Sequence, residues 1–102
     1  MLRYYPEAEA ELDAAFDYLR SNGVYANAAA DFVNEVEQAE RRLVEFPNAS
    51  SRLGRSARRL VLRRFPYQLI YRVEADVIVI YAVAHQSRRP GYWRKRLKAV
   101  KP

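Results

Sequence analysis

A change of hydrophobic period at Pro47 constrains this chain more than any other feature. Before it, apolar residues recur at helical spacing; after it, they fall into short β-branched runs. Ala8, Leu12, Ala15, Phe16 and Leu19 predict a first helix opened by Pro6, whose missing N–H costs nothing in a first turn. Glu7, Glu9, Glu11, Asp13 and Asp17 surround its other side, as a solvated face would. Ser21-Asn22-Gly23 ends it, with Gly23 expected as a left-handed cap. A second helix is predicted from about Tyr25 to Phe46. Its seam of Tyr25, Ala29, Phe32, Val36, Ala39, Leu43 and Phe46 suits an intramolecular helical hairpin. Leu2 to Tyr5, short and aromatic, reads as an N-terminal strand.

Beyond Pro47, the polar stretch Asn48 to Ser56 reads as a loop. Arg59 to Phe65, Tyr67 to Glu74 and Val77 to His85 read as strands. The tight Ala75-Asp76 connection joins the last two as a hairpin, pairing Glu74 with Val77, Arg72 with Val79, Ile70 with Tyr81 and Gln68 with Val83. Strict alternation then assigns Leu69, Tyr71, Val73, Ile78, Ile80, Ala82 and Ala84 to the face that receives the helices. Gln68, Ile70, Arg72, Val79, Tyr81, Val83 and His85 fall on an open face. The expected architecture is α+β: an N-terminal strand and a two-helix hairpin packed on a small antiparallel sheet, β-α-α-β-β-β. A basic C-terminal tail follows, short helix or mobile from Tyr92 onward. Its 102 residues make one domain, 1–102, with a single core and little margin.

Charge is partitioned along this frame. Residues 1–50 carry 4 basic and 10 acidic side chains, a net of −6; residues 51–102 carry 14 basic and 2 acidic ones, a net of +12. A basic second half predicts an anionic counterpart, whether phosphate or an acidic protein segment. The sequence has no cysteine, so thiolate chemistry and disulfides are excluded, and its single histidine leaves no zinc set. No metal and no cofactor are expected. No run approaches the roughly 20 apolar residues of a membrane span, and the N-terminus lacks the apolar core of a signal peptide. A cytoplasmic protein is therefore expected, with no membrane partner. Gly-rich phosphate loops, nucleophile elbows and Ser/His/Asp sets are absent.

Candidate chemistry gathers on the expected open face and its margins. Arg59, Arg63, Arg64, Gln68, Arg72, Tyr81 and His85 belong to it, and Arg88, Arg89 and Tyr92 lie just beyond. Guanidinium groups bind phosphate in a fork and tyrosines stack on unpaired bases. Cleavage through a ribose 2′-hydroxyl needs a base, an acid and cations for the developing charge. His85 could act as acid or base and the arginines could hold the charge. A second proton-transfer group would have to be Tyr81 or Tyr92, aided by neighbouring arginines. Structural roles compete: Tyr71 and Tyr81 suit sheet packing, and the Arg63-Arg64 and Arg88-Arg89 pairs suit edge protection. Arg94-Lys95-Arg96 adds anion-binding capacity to the tail.

Taken in order, several local motifs resemble the RelE/ParE superfamily of toxins from bacterial type II toxin–antitoxin systems. Tyr5-Pro6-Glu7-Ala8 leads into the acidic helix with Leu12, and Ala28 to Phe32 open the second. Leu43 with Phe46-Pro47, Arg59-Leu60, Phe65-Pro66-Tyr67 and Ile70-Tyr71-Arg72-Val73 follow. Val83 to Pro90 with Tyr92-Trp93 completes the pattern. The resemblance implies a helical hairpin on an antiparallel sheet, with the N-terminal strand beside the last hairpin. It also implies a cognate antitoxin, with a segment that folds onto the toxin and a DNA-binding repressor domain. Two targets follow from it: DNA gyrase, inhibited by ParE-like members, or messenger RNA in the ribosome, cleaved by RelE-like members. In the RelE-like alternative the catalytic set would be His85, Arg63 or Arg64, and Arg72, with Tyr81. Whichever the target, Arg59, Arg88, Arg89, Tyr92, Arg94, Lys95 and Arg96 are expected to bind an anion or the target. A degenerate, non-toxic binding homologue is the third alternative. The long helices and the Phe65-Pro66-Tyr67 entry look ParE-like, and no tyrosine directly follows His85, so gyrase inhibition is the expected activity.

Overall fold

In a computed structural model describing residues 1–23 and 25–99, the period change divides the fold as expected. The elements are β1 (Leu2–Tyr4), α1 (Pro6–Asn22), α2 (Ala28–Glu45), β2 (Ser51–Leu53), β3 (Ala57–Val61), β4 (Tyr67–Glu74), β5 (Val77–His85) and α3 (Arg94–Ala99). The five strands form one sheet in the order β1-β5-β4-β3-β2. β1 lies beside β5, as anticipated, but parallel to it, so the sheet is mixed rather than antiparallel. Part of the stretch expected as a loop pairs as β2, with Ser51 opposite Arg59 and Leu53 opposite Ala57. Its three residues are too few to display an alternation. β3 ends at Val61, leaving Arg63 and Arg64 in the connection to β4.

α1 and α2 cover one face of the sheet. Phe32, Val36, Ala39 and Leu43 of the predicted seam are buried there with Leu69, Tyr71, Ile78 and Ile80. The seam's ends, Tyr25 and Phe46, are exposed, because the helix occupies only Ala28–Glu45. Phe32 meets Phe65 edge to face with centroids 5.4 Å apart, and the Tyr4 hydroxyl donates to Glu40 at 2.6 Å, tying β1 to α2. The first contact ties α2 to the β3–β4 connection and the second ties it to the sheet.

Gly23 differs from expectation. Its φ of −65° and ψ of 147° are extended rather than left-handed. What excludes a side chain is space: a Cβ there would run into the Leu19 carbonyl oxygen and lie 2.9 Å from Ala28 Cβ. Gly23→Ala should therefore destabilise by about 1–3 kcal/mol, as overpacking does, measured by urea denaturation. An unchanged midpoint would show that the hairpin can open to admit the methyl group.

The β4–β5 hairpin turns at Ala75-Asp76, with Ala75 in the left-handed region at φ 54°. The predicted pairs Glu74–Val77 and Arg72–Val79 are present, but the register then shifts. Tyr71 pairs with Ile80 and Ile70 with Ala82, so Tyr81 is the extra residue of a β-bulge. Ile70–Tyr81 and Gln68–Val83 are thus replaced by Ile70–Ala82 and Gln68–Ala84. Because side chains alternate with period two, one inserted residue inverts the rest of the strand. Val83 consequently joins the helix-side core, while Ala82 moves to the opposite face.

That opposite face is also not open. Ala57, Ile70, Ala82 and Trp93 form a second buried cluster, flanked by Leu53, Tyr92 and Leu97. The tail folds back across the sheet, so the protein has three layers: helical hairpin, sheet, and a C-terminal cover.

Candidate functional site

The predicted site residues separate into three groups. Arg63 and Arg64 stand against α2, away from His85. Glu35 accepts from both of their backbone N–H groups, and the Arg64 guanidinium pairs with Asp31 at 3.0 Å. Arg64 also donates to the Tyr25 hydroxyl at 3.3 Å. These contacts close the β3–β4 connection onto the helical hairpin, around a cavity of about 260 Å³ that also takes in Asn34, Gln38 and Arg42.

Arg72 and Tyr81 form a second group beneath α3. Arg72 Nε donates to Glu74 at 2.9 Å, and one of its terminal nitrogens donates to the Tyr81 hydroxyl at 3.1 Å. Tyr81 in turn donates to Glu74, and Arg72 reaches the Leu97 carbonyl of α3 at 3.3 Å. The Tyr81 ring is fully buried. Burial, and then the hydrogen bond to Glu74, push its hydroxyl above the ordinary tyrosine range. Burial alone would raise the Glu74 carboxyl, but hydrogen bonds from Tyr81 and Arg72 outweigh it and hold the group below its ordinary 4.5. A carboxylate lowered by folding lends stability above its unfolded value and loses it as pH falls through the folded one. Acidification below pH 4.5 should therefore loosen α3. Emission from the chain's one tryptophan, Trp93, reports on it. A red shift that begins only with global unfolding would contradict this.

The third group surrounds a cleft of about 160 Å³ where the ends of β4 and β5 meet the turn leading to α3. Arg59, Gln68, His85, Arg88, Arg89 and Arg94 line it, and among the described residues no carboxylate does. The imidazole is half-buried and stands edge-on to Tyr67 at 4.9 Å. Its Nδ1 accepts from the Ser87 backbone N–H at 3.0 Å, which assigns the proton of the neutral ring to Nε2. Arg88 lies over the Tyr92 ring at 3.9 Å, and Arg94 over Trp93 at 5.4 Å.

Tyr92 and Arg96 turn inward from this cleft. Arg96 grips both oxygens of Glu11, at 3.0 and 2.8 Å, and also donates to the Tyr81 carbonyl at 2.9 Å. The Tyr92 hydroxyl donates to the same carboxylate at 2.8 Å, and so does the Val83 backbone N–H at 2.9 Å. β1 stops alongside Ile80, so Glu11 supplies the acceptor that the edge of β5 lacks. Burial, then the bond to Glu11, push Tyr92 up to about 12. Lys95 is exposed and makes no ion pair among the described residues. Glu11 was indistinguishable in sequence from its acidic neighbours on α1, whereas the Trp93–Leu97 spacing of four was a readable sign of an apolar tail face.

Comparison with known proteins identifies the family and the fold. Residues 2–90 match the family model described as the ParE toxin of the type II toxin–antitoxin system parDE. Toxin ParE2 of Mycobacterium tuberculosis (strain H37Rv) is 33% identical over 95 residues, covering 88% of this chain and 85% of the relative. The chromosomal ParDE system of P. aeruginosa contains a chain that superposes with a TM-score of 0.66 at 26% identity, over 82% of this chain and 92% of that one. The isolated E. coli RelE toxin shares the fold, with a TM-score of 0.59 at 16% identity over 99% of this chain and 98% of that one. The family match ends at Pro90, before the residues that build the C-terminal cover.

Proposed function

Because this chain belongs to the ParE toxin family of type II toxin–antitoxin systems, we propose that it poisons DNA gyrase by binding, without cutting nucleic acid itself. The family implies a cognate antitoxin that neutralises the toxin. The observation that carries the binding-only reading is that neither candidate partner of His85, Tyr81 or Tyr92, is free to move a proton, and that burial pushes the adjacent Tyr67 hydroxyl above the ordinary tyrosine range. Tyr81 is buried and bonded to Glu74, and Tyr92 is bonded to Glu11 with its hydroxyl pushed up to about 12. Neither would transfer protons efficiently near neutral pH. The Arg64 guanidinium is paired with Asp31 and that of Arg72 with Glu74, while Arg63 is held against α2 through its backbone N–H. The RelE-like set of His85, Arg63 or Arg64, Arg72 and Tyr81 is therefore divided among separate groups and does not converge on one reacting atom.

The antitoxin, on this reading, joins a DNA-binding repressor domain to an acidic, amphipathic segment that covers the basic cleft or the helical hairpin and folds as it binds. The decisive experiment combines purified toxin, gyrase, ATP and a supercoilable plasmid. Accumulation of cleaved complexes with loss of supercoiling is expected. Absence of both at excess toxin, or codon-dependent cutting of a transcript by the same preparation on ribosomes, would overturn the proposal.

A further inference from the structure

We infer that the arginine cleft at the end of β4 and β5 binds the phosphodiester backbone of duplex DNA, so that the toxin holds DNA directly as well as gyrase. The inference rests on the gyrase reading for its setting. Its evidence is how the cations are distributed. Among the described residues, carboxylates pair with Arg20, Arg64, Arg72 and Arg96. The cleft arginines, Arg59, Arg88, Arg89 and Arg94, have no such partner, and all four are exposed. Four guanidinium groups around one small cleft repel one another unless an anion enters. Their planar forks match phosphate oxygens better than a lysine would.

The aromatic residues decide which nucleic acid fits. Single strands are held by stacking unpaired bases on free aromatic faces. Here the Tyr92 ring lies beneath Arg88 at 3.9 Å and Arg96 at 5.2 Å, Trp93 is 4% exposed, and His85 is set edge-on to Tyr67. Among the described residues no free stacking platform is left beside the cations, and contact with stacked, paired DNA through its phosphates needs none. Gln68 adds a neutral donor to the same lining.

Binding of a short fluorescein-labelled duplex to antitoxin-free toxin tests this by anisotropy across a salt series. A plot of log affinity against log salt should have a slope of about −3, from about −0.9 for each phosphate contacted. The double substitution Arg59→Gln with Arg89→Gln should weaken binding about tenfold and flatten the slope by about 2. Arg20→Gln, outside the cleft, should change neither. Arg59→Lys with Arg89→Lys retains the charge but not the fork, so it should keep the native salt slope and bind between the native protein and the Gln pair, which separates lost charge from lost folding. In the gyrase assay the Gln pair should reduce cleaved complexes about tenfold. Duplex binding that ignores the Gln pair, or tighter binding of single-stranded RNA or an acidic peptide than of duplex, would overturn the inference. Full gyrase poisoning by a Gln pair that no longer binds DNA would overturn it and leave the gyrase reading standing. Duplex binding at the cleft by a toxin inert toward gyrase would support the site and remove that reading.

Discussion

Replacing Glu11 with alanine is expected to lower the unfolding free energy by about 3–5 kcal/mol, the range for removing one member of a buried ion pair. Arg96 and Glu11 expose only 15% and 16% of their side chains, so solvent cannot take over the lost partner. The substitution leaves three elements with unmet donors at once: Arg96 of α3, the Tyr92 hydroxyl before it, and the Val83 N–H of β5. In a chain of this size such a loss should lower Tm by more than about 10 °C. Glu11→Gln preserves the shape but turns an NH2 group toward these donors, and should recover little. Leucine at Arg96 in the Glu11→Gln background removes the stranded charge and should restore part of the loss, because apolar replacement of a buried pair is often neutral or better. Chemical denaturation of the native protein, Glu11→Gln, Arg96→Leu and the double variant gives the coupling. A cost below about 1 kcal/mol for Glu11→Ala would mean that water replaces the carboxylate.

The same contact accounts for part of the uneven charge of the chain. Glu11 and Asp31 come from the acidic half, and their partners Arg96 and Arg64 from the basic half. Opposite charge between the halves thus helps close helices onto sheet and tail onto helix. Among the arginines that no carboxylate pairs in the described residues, Arg59, Arg88, Arg89 and Arg94 gather at one cleft, and Arg52, Arg55 and Arg58 line another hollow beside β2 and β3. The partition predicted an anionic counterpart, and the first such counterpart is the protein itself.

The helices, β4 and β5 were legible in sequence because each has enough residues to display its period. β4 and β5 have the predicted limits, Tyr67–Glu74 and Val77–His85. β2 was missed because Ser51–Leu53 is too short to carry a pattern. The bulge at Tyr81 was missed for another reason. An inserted residue in a continuous apolar run such as Val77–Ala84 leaves the composition unchanged, so alternation alone could not locate it. That one residue decides which face receives Ala82 and Val83. The site was legible as a set of residue types, but not as a partition into paired and unpaired cations. Partnership depends on contacts between residues as far apart as Glu11 and Arg96.

Trp93→Ala tests the layer that sequence concealed. Trp93 is 4% exposed and anchors the cluster of Ala57, Ile70 and Ala82. Truncating a buried Trp usually costs about 3–5 kcal/mol. Here the loss has a ceiling, because α3 has six residues and cannot persist as a helix once its anchor is gone. Beyond the free energy that holds α3 down, further damage to the cluster is not felt, since the tail detaches and the helix-side core remains. The expected result is therefore a folded protein with a lower Tm and fast hydrogen exchange confined to α3 and the β4–β5 surface beneath it. Trp93→Phe fills much of the same space and should retain slow exchange there. Detachment should also weaken duplex DNA binding, because Arg94 and the Arg88–Tyr92 stack are carried by the same segment. Native protein should show blue-shifted Trp93 emission that moves red at lower urea than the helical circular dichroism signal. Coincident transitions, with Trp93→Ala unfolding the whole chain, would make the cover an integral part of one cooperative core.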